Sequence, residues 1–182
     1  MHPHDELRLI DCTEAEHAPA ILEILNEAIA NSTALYDYAP RPPQAMAAWF
    51  AAKRAGGFPV VGAVDTAGQL AGFASWGTFR AFPAYKYTVE HSIYVHHAHR
   101  GRGRGLGRVL LLELIRRAQA AGVHVMVGCI DASNAASIGL HQRLGFVHAG
   151  TFPQVGFKFG RWLDAAFYQL TFEGSPAQPV DG

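Results

Sequence analysis

Charge is scarce in this 182-residue chain: Asp, Glu, Lys and Arg make up 16% of it, and 15 basic residues balance 15 acidic ones to a formal net charge of zero. A surface without excess of either sign lacks the footprint of a general nucleic-acid or membrane-surface binder, so a charged site must be local. Cysteine is nearly absent. Cys12 and Cys129 stand far apart, in runs that read as buried strands and without metal-ligand spacing, which predicts a reduced, cytoplasmic protein and no metal centre. No run reaches the ~18 apolar residues of a membrane span, and the opening Met1 to Glu6 carries no apolar leader. With 49% hydrophobic residues the composition is globular, and the length suits one domain, residues 1–173. The Gly-, Pro- and Ser-containing tail 174–182 is predicted to fray.

Periodicity supplies the elements. Leu7 to Cys12 alternates as a strand, and Thr13-Glu14-Ala15-Glu16 has the form of a capping box. The helix it opens should bury Ala20, Ile21, Ile24, Leu25, Ala28 and Ile29. A loop from Asn31 to Pro43 carries Leu35, Tyr36 and Tyr38, apolar enough to line a pocket. A second helix over about Pro43 to Arg54 stops before Gly56-Gly57, and Phe58 to Val64 with Leu70 to Trp76 reads as a β-hairpin. Gly77 to Tyr87 leaves regular structure. Thr88 to Val95 is a strand with Val89, His91, Ile93 and Val95 on one face and Glu90, Ser92 and Tyr94 on the other. Leu106 to Ala121 is a helix patterned by Val109, Leu110, Leu112, Glu113 and Ile115 and ended by Gly122; Val123 to Ile130 is a strand covered on both faces. A short helix, Ala135 to Leu144, and strands Phe146 to Phe159, broken near Pro153 and Gly156, and Ala165 to Phe172 complete a mixed α/β layer fold.

The densest signal is His99 to Leu112, H-R-G-R-G-R-G-L-G-R-V-L-L-L, between a strand and a helix. Alternate glycines let backbone N–H groups converge, and the helix start adds unpaired N–H groups and the positive end of its dipole, so the stretch predicts a phosphate site. Neither Gly105 nor Gly107 is followed by the Lys-Ser/Thr of a P-loop, which excludes NTP hydrolysis by that device. The dinucleotide template G-x-G-x-x-G fails at Leu106 in one register and at Arg108 in the other. Three Arg-Gly repeats inside a patterned domain of zero net charge do not make an RNA-binding segment.

What fits is R-x-x-G-x-G, at Arg100-Gly101-Arg102-Gly103-Arg104-Gly105 and again at Arg102-Gly103-Arg104-Gly105-Leu106-Gly107. This resembles the pyrophosphate-binding motif of the GNAT superfamily of acetyl-CoA dependent N-acetyltransferases. Asn134-Ala135-Ala136-Ser137 leading to Leu144-Gly145-Phe146 resembles the second superfamily signature, whose asparagine contacts CoA. The second register is preferred, because G-L-G-R-V-L-L keeps the helix phase. Longer stretches, Thr88 to Val95, Asn134 to His141 and Pro153 to Asp164, are similar to the phosphinothricin and methionine sulfoximine N-acetyltransferases. The resemblance implies a mixed, mostly antiparallel central sheet flanked by helices, split between the fourth and fifth strands where acetyl-CoA lies, and a homodimer. It implies a small amino-acid substrate with no nucleic acid or membrane partner. The expected cofactor ligands are Ile93, Tyr94 and Val95 on the pantetheine arm, Arg100, Arg102, Gly103, Arg104, Gly105, Leu106 and Gly107 at the pyrophosphate, and Asn134.

An amine attacks a thioester only as the neutral base, so a site working near pH 7 needs a proton acceptor. Glu90 matches the group's proposed base; judged by its residues alone it is more readily an ordinary strand carboxylate paired on the surface. His141 stands where many members carry a tyrosine, and is expected to act as acid, to orient substrate, or merely to pack within its helix. Arg80 suits bidentate capture of an amino-acid carboxylate, Phe82 an apolar wall, and Ala81 replaces a proline of the relatives. Tyr36 and Lys86 are weaker pocket residues. His96, His97 and His99 lack a completing carboxylate or cysteine nearby in sequence and read as solvated loop residues. The alternatives are acetylation of a protein N-terminus or another amine, and a non-catalytic acyl-CoA sensor.

Overall fold

The computed structural model describes residues 7–101, 105–174 and 179–181. The elements run β1 (Arg8–Asp11), α1 (Glu14–Asn31), α2 (Ala45–Ala55), β2 (Val60–Val64), β3 (Leu70–Thr78), β4 (Thr88–Val95), α3 (Leu106–Ala120), β5 (Val125–Asp131), α4 (Ala135–Arg143), β6 (Val147–Lys158) and β7 (Arg161–Thr171), the order read from the sequence. The strands form a seven-stranded mixed sheet in the order β1-β2-β3-β4-β5-β7-β6. The β1–β2, β2–β3, β5–β7 and β6–β7 pairs are antiparallel, and β4–β5 is parallel. A parallel pair cannot be joined by a hairpin, and α3 is the crossover that connects these two strands. The chain divides into two compact units, one built from residues up to Trp76 with Ser92–Leu114, the other from Gly77–His91 with Ile115 onward.

In the first unit, Thr13 caps α1 by accepting from the Glu16 N–H at 3.3 Å. The reciprocal half of the predicted capping box differs: the Thr13 N–H goes to His17 Nδ1 at 3.0 Å, and Glu16 accepts from the Thr13 hydroxyl instead. The imidazole one turn up reaches the orphan N–H and displaces the carboxylate. Ile21, Ile24, Leu25, Ala28 and Ile29 are buried at helical spacing. Ile21, Ile24 and Leu25 form one core with Met46 and Phe50 of α2, Val60 and Val64 of β2, and Leu70 and Phe73 of β3. Each fully buried aliphatic side chain there contributes about 1.5–3 kcal/mol. The β2–β3 turn is set by Asp65, whose carboxylate accepts from the N–H groups of Ala67 and Gln69.

The second unit departs from the sequence reading in two places. Cys129 is exposed within β5, so that strand is not covered along its whole length. The β6–β7 hairpin is longer than expected, with Lys158 opposite Arg161. Phe159 and Gly160 take φ of 52° and 73°, a two-residue turn whose twist matches the strands. The predicted break near Pro153 is a register shift between Phe152 and Gly156, where Gln154 adopts φ 55° and its N–H is held by the Asp164 carboxylate at 2.8 Å. Within the segment expected to fray, the Val180 N–H donates to the Tyr87 hydroxyl at 3.1 Å, and residues 175–178 and 182 lie outside the described residues. Along α3 the buried seam is Leu106, Leu110, Leu111, Leu114 and Ala118, and Leu112 faces outward. Among the described residues no helix is long and apolar enough to cross a membrane.

Candidate active site

In the first unit, the end of β4 lies close to β3. A Cβ on Gly72 would stand 2.8 Å from the Tyr94 carbonyl oxygen and 3.3 Å from the Val95 Cα, so only glycine allows that approach. The Tyr94 ring packs on Phe73 with centroids 5.3 Å apart, which leaves its backbone as the part a ligand could use. Ile93 and Val95 are half-buried beside it. A 3₁₀ turn, His97–His99, follows. Arg102, Gly103 and Arg104 lie outside the described residues. Gly105 has φ 62°, a conformation no α-helix contains, so α3 starts at Leu106. Its first intrahelical donor is the Val109 N–H, bonded to the Gly105 carbonyl at 3.0 Å. The N–H groups of Leu106, Gly107 and Arg108 therefore precede the ladder and sit at the positive end of the dipole. Leu106, 4% exposed, pins this helix start.

Arg100 is already engaged. Its Nε donates to the Val95 carbonyl at 2.9 Å, and its two terminal nitrogens meet the two carboxylate oxygens of Glu27. Two of the three histidines expected to be solvated are paired as well: His96 Nε2 lies 3.3 Å from Glu23, and His99 Nε2 lies 3.8 Å from Asp65, while His97 is exposed. These carboxylates come from α1 and the β2–β3 turn, too distant in sequence for spacing to reveal. Tyr36 is half-exposed in the loop after α1.

The second unit carries most of the residues expected on the acceptor side. Glu90 stands opposite Val127 in the parallel β4–β5 pair, the last pair in that register. Desolvation raises its pKa, and the Arg80 guanidinium pulls the other way. Cys129, two residues along β5 and so on the face that Val127 and Glu90 share, joins the same field. Its thiol is pushed up to about 11, first by desolvation and then by the Glu90 carboxylate, with Arg80 opposing. Sequence reasoning missed Cys129, because only the β4–β5 register places it beside Glu90. Arg80 is exposed; its Cζ stacks 4.4 Å from the Phe79 ring centroid, and one terminal nitrogen donates to the Phe79 carbonyl at 2.9 Å. Phe82 presents a ring that is 72% exposed, and Ala81 and Lys86 are exposed on either side. Lys86 Nζ lies 5.2 Å from the Tyr87 ring centroid.

On α4, Asn134 is the N-cap, its Oδ1 accepting from the Ser137 N–H at 3.1 Å, which leaves the side-chain amide protons for another partner. His141 is 3% exposed. Its Nδ1 donates to the Ser137 carbonyl at 2.7 Å and its Nε2 lies 3.1 Å from Nε2 of His91. Neither ring nitrogen is open to a substrate. The ring occupies an interior position where α4 meets β4, stacked on His91 with centroids 5.0 Å apart. His91, placed on the correct face by alternation, went unrecognised as its partner, because α4 and β4 meet only in the fold.

The sequence matches the Acetyltransferase (GNAT) family over residues 20–146, and the chain belongs to that family; it is an N-acetyltransferase. It is 49% identical over 161 residues, 88% of this chain and 92% of the other, to an L-methionine sulfoximine/L-methionine sulfone acetyltransferase of Pseudomonas paraeruginosa. A solved structure from Acinetobacter baylyi shares 64% identity, with a TM-score of 0.96 and full coverage of both chains. A GNAT superfamily phosphinothricin acetyltransferase of Sinorhizobium meliloti, solved in complex with acetyl-CoA, is 37% identical with a TM-score of 0.90, over 97% of this chain and 94% of that one.

Proposed function

We propose that this enzyme transfers acetyl from acetyl-CoA to the α-amino group of a small amino-acid analogue of the methionine sulfoximine, methionine sulfone or phosphinothricin type, with Glu90 as general base. The observation that carries this reading is the Glu90 carboxylate, held above its ordinary pKa beside Arg80, on the strand that leads to the Gly105–α3 phosphate site. The α3 start at Leu106 supports the second of the two loop registers, with the N–H groups of Leu106 and Gly107 turned to the pyrophosphate. The backbone of Ile93 to Val95 suits the pantetheine arm, with the Val95 carbonyl already given to Arg100. Asn134 offers its amide protons to the same cofactor.

Glu90 takes a proton from the substrate ammonium, directly or through water, and the freed nitrogen lone pair attacks the thioester carbonyl carbon. The tetrahedral adduct collapses as the C–S bond breaks. The nitrogen loses a second proton, the departing thiolate gains one from solvent, and the products are the amide and free CoA thiol. The Arg80 fork is suited to the substrate carboxylate and the bare Phe82 ring to its side chain. Two free cysteines suit a cytoplasmic setting. A homodimer is part of the same proposal: Phe152, Val155, Phe159 and Trp162 are each more than half exposed on the β6–β7 hairpin, apolar side chains that a partner copy would cover. Replacing Glu90→Gln tests the reading. Turnover of L-methionine sulfoximine at neutral pH should fall about a hundredfold or more while CoA affinity holds; undiminished turnover removes Glu90 from the reaction.

A further inference from the structure

Resting on the assignment of the loop as an acetyl-CoA pyrophosphate site, the geometry points to Glu27 as a positioning residue for that loop: its carboxylate holds the Arg100 guanidinium, so that backbone amides after Gly105, and not Arg100, meet the phosphates. The fork of Arg100 is occupied at all three nitrogens. Nε donates to the Val95 carbonyl at 2.9 Å, NH1 lies 3.2 Å from one Glu27 oxygen, and NH2 donates to the other. A bidentate, charge-assisted pair is among the stronger polar contacts a protein makes, and its planar geometry fixes orientation as well as distance. Glu27 is only 20% exposed, so this pair is less screened than an ordinary surface ion pair.

A second, matching contact lies one turn away. Glu23 and Glu27 are four residues apart on α1 and share a face, and His96 and Arg100 are four residues apart in the segment they hold. Between them the chain is shaped by its own bonds: His96 Nδ1 accepts from the Ala98 N–H at 3.2 Å, and the Arg100 N–H donates to the His97 carbonyl at 3.3 Å. Asp65 reaches His99 from the β2–β3 turn at 3.8 Å. The segment 96–100 is thus fastened at both ends to a core-packed helix. An arginine so committed cannot turn its fork to a phosphate without leaving the half-buried Glu27 carboxylate only the Asn31 amide, 3.5 Å away, in place of a cation. Sequence alone makes Arg100 the first arginine of a phosphate motif; the fold makes it the clamp of the turn before that motif.

Steady-state kinetics with two donors tests this, after calorimetry has shown that the wild-type protein binds CoA. S-acetylpantetheine shares the reacting arm with acetyl-CoA and lacks the pyrophosphate. Glu27→Gln and Arg100→Gln should each raise KM for acetyl-CoA about tenfold with kcat held, and the double variant should be no worse than either single one. KM for S-acetylpantetheine should stay at the wild-type value in Glu27→Gln, which keeps the Arg100 Nε bond to the Val95 carbonyl. If Arg100→Gln raises KM for acetyl-CoA while Glu27→Gln leaves it unchanged or lowers it, Arg100 binds phosphate itself and the proposal falls. Equal losses with both donors in Glu27→Gln would mean a general structural role, and would also overturn it. Should the Gln variant prove insoluble, Glu27→Asp keeps the charge but shortens the reach, and a smaller rise in KM for acetyl-CoA alone is expected. Failure of wild-type protein to bind CoA defeats the cofactor assignment together with this inference; CoA binding with unchanged kinetics in Glu27→Gln defeats the inference alone.

Discussion

His91 of β4 and His141 of α4 meet nitrogen to nitrogen, their Nε2 atoms 3.1 Å apart and their rings stacked with centroids at 5.0 Å and planes 15° apart. The Ser137 carbonyl can only accept, so His141 carries its proton on Nδ1. In the neutral ring its Nε2 is then the acceptor, and His91 must donate from Nε2, which leaves His91 Nδ1 bare and buried without a partner. Gly128 makes the room: a Cβ there would lie 2.9 Å from one Nε2 and 3.1 Å from the other. The tautomers of both rings follow from one carbonyl and one missing side chain.

This arrangement predicts an acid-sensitive stability. Burial, with His141 adding to it, lowers the His91 pKa to about 3, and burial also lowers that of His141. Both are neutral when folded, while an unfolded histidine titrates near 6.5. The unfolded chain therefore binds more protons, so stability is full above about pH 6.5 and is lost as pH falls from there toward 3, by up to about 1.4 kcal/mol per pH unit for His91, with His141 adding in the same direction. Urea unfolding at stepped pH should show this slope. His91→Gln, which keeps a donor but cannot titrate, should be less stable at pH 7.5 yet show a shallower slope; an unchanged slope would contradict the pairing.

With Glu90 as the proposed base, Arg80 should set the acid limit of catalysis. Desolvation raises the Glu90 pKa and the guanidinium partly offsets it. A base must be ionised to accept a proton, so activity should fall as pH drops through that raised pKa. Removing the positive charge in Arg80→Gln lets the pKa climb further, and the acid limb of kcat/KM should move to higher pH. A limb that stays in place, or moves down, would separate Arg80 from Glu90.

Cys129 reports on the same field from β5. Glu90 holds its thiol up and Arg80 opposes. At pH 8 the thiolate fraction should rise in Glu90→Gln and fall in Arg80→Gln, so alkylation by iodoacetamide should be faster in the first and slower in the second. Peptide mass spectrometry distinguishes this site from Cys12, whose thiol burial and Asp11 push up to about 12. Equal rates in all three proteins would place Cys129 outside the cluster.

Local signals in the sequence carried the fold a long way. The Ile21 to Ile29 stripe, the Asp65–Gly68 turn, the Asn134 cap and the glycine stops all depend on residues within one or two turns of each other, and they stand where periodicity put them. The family was legible too, because its signatures are contiguous. What escaped were meetings between distant segments: Glu27 with Arg100, His91 with His141, and Cys129 with Glu90. Each depends on strand register or on which helix face turns inward. The length of β7 was hidden for another reason, since a phenylalanine at φ 52° in the turn is not a residue that turn chemistry anticipates.

The central claim is acetyl transfer to the amine of a small amino acid, and following free thiol as purified enzyme meets acetyl-CoA and an acceptor tests it most directly. With L-methionine sulfoximine, methionine sulfone or phosphinothricin, thiol should be released with one N-acetylated product per thiol. A short peptide with a free N-terminus should release far less. Thiol release with the peptide and none with any of the three analogues would contradict the account.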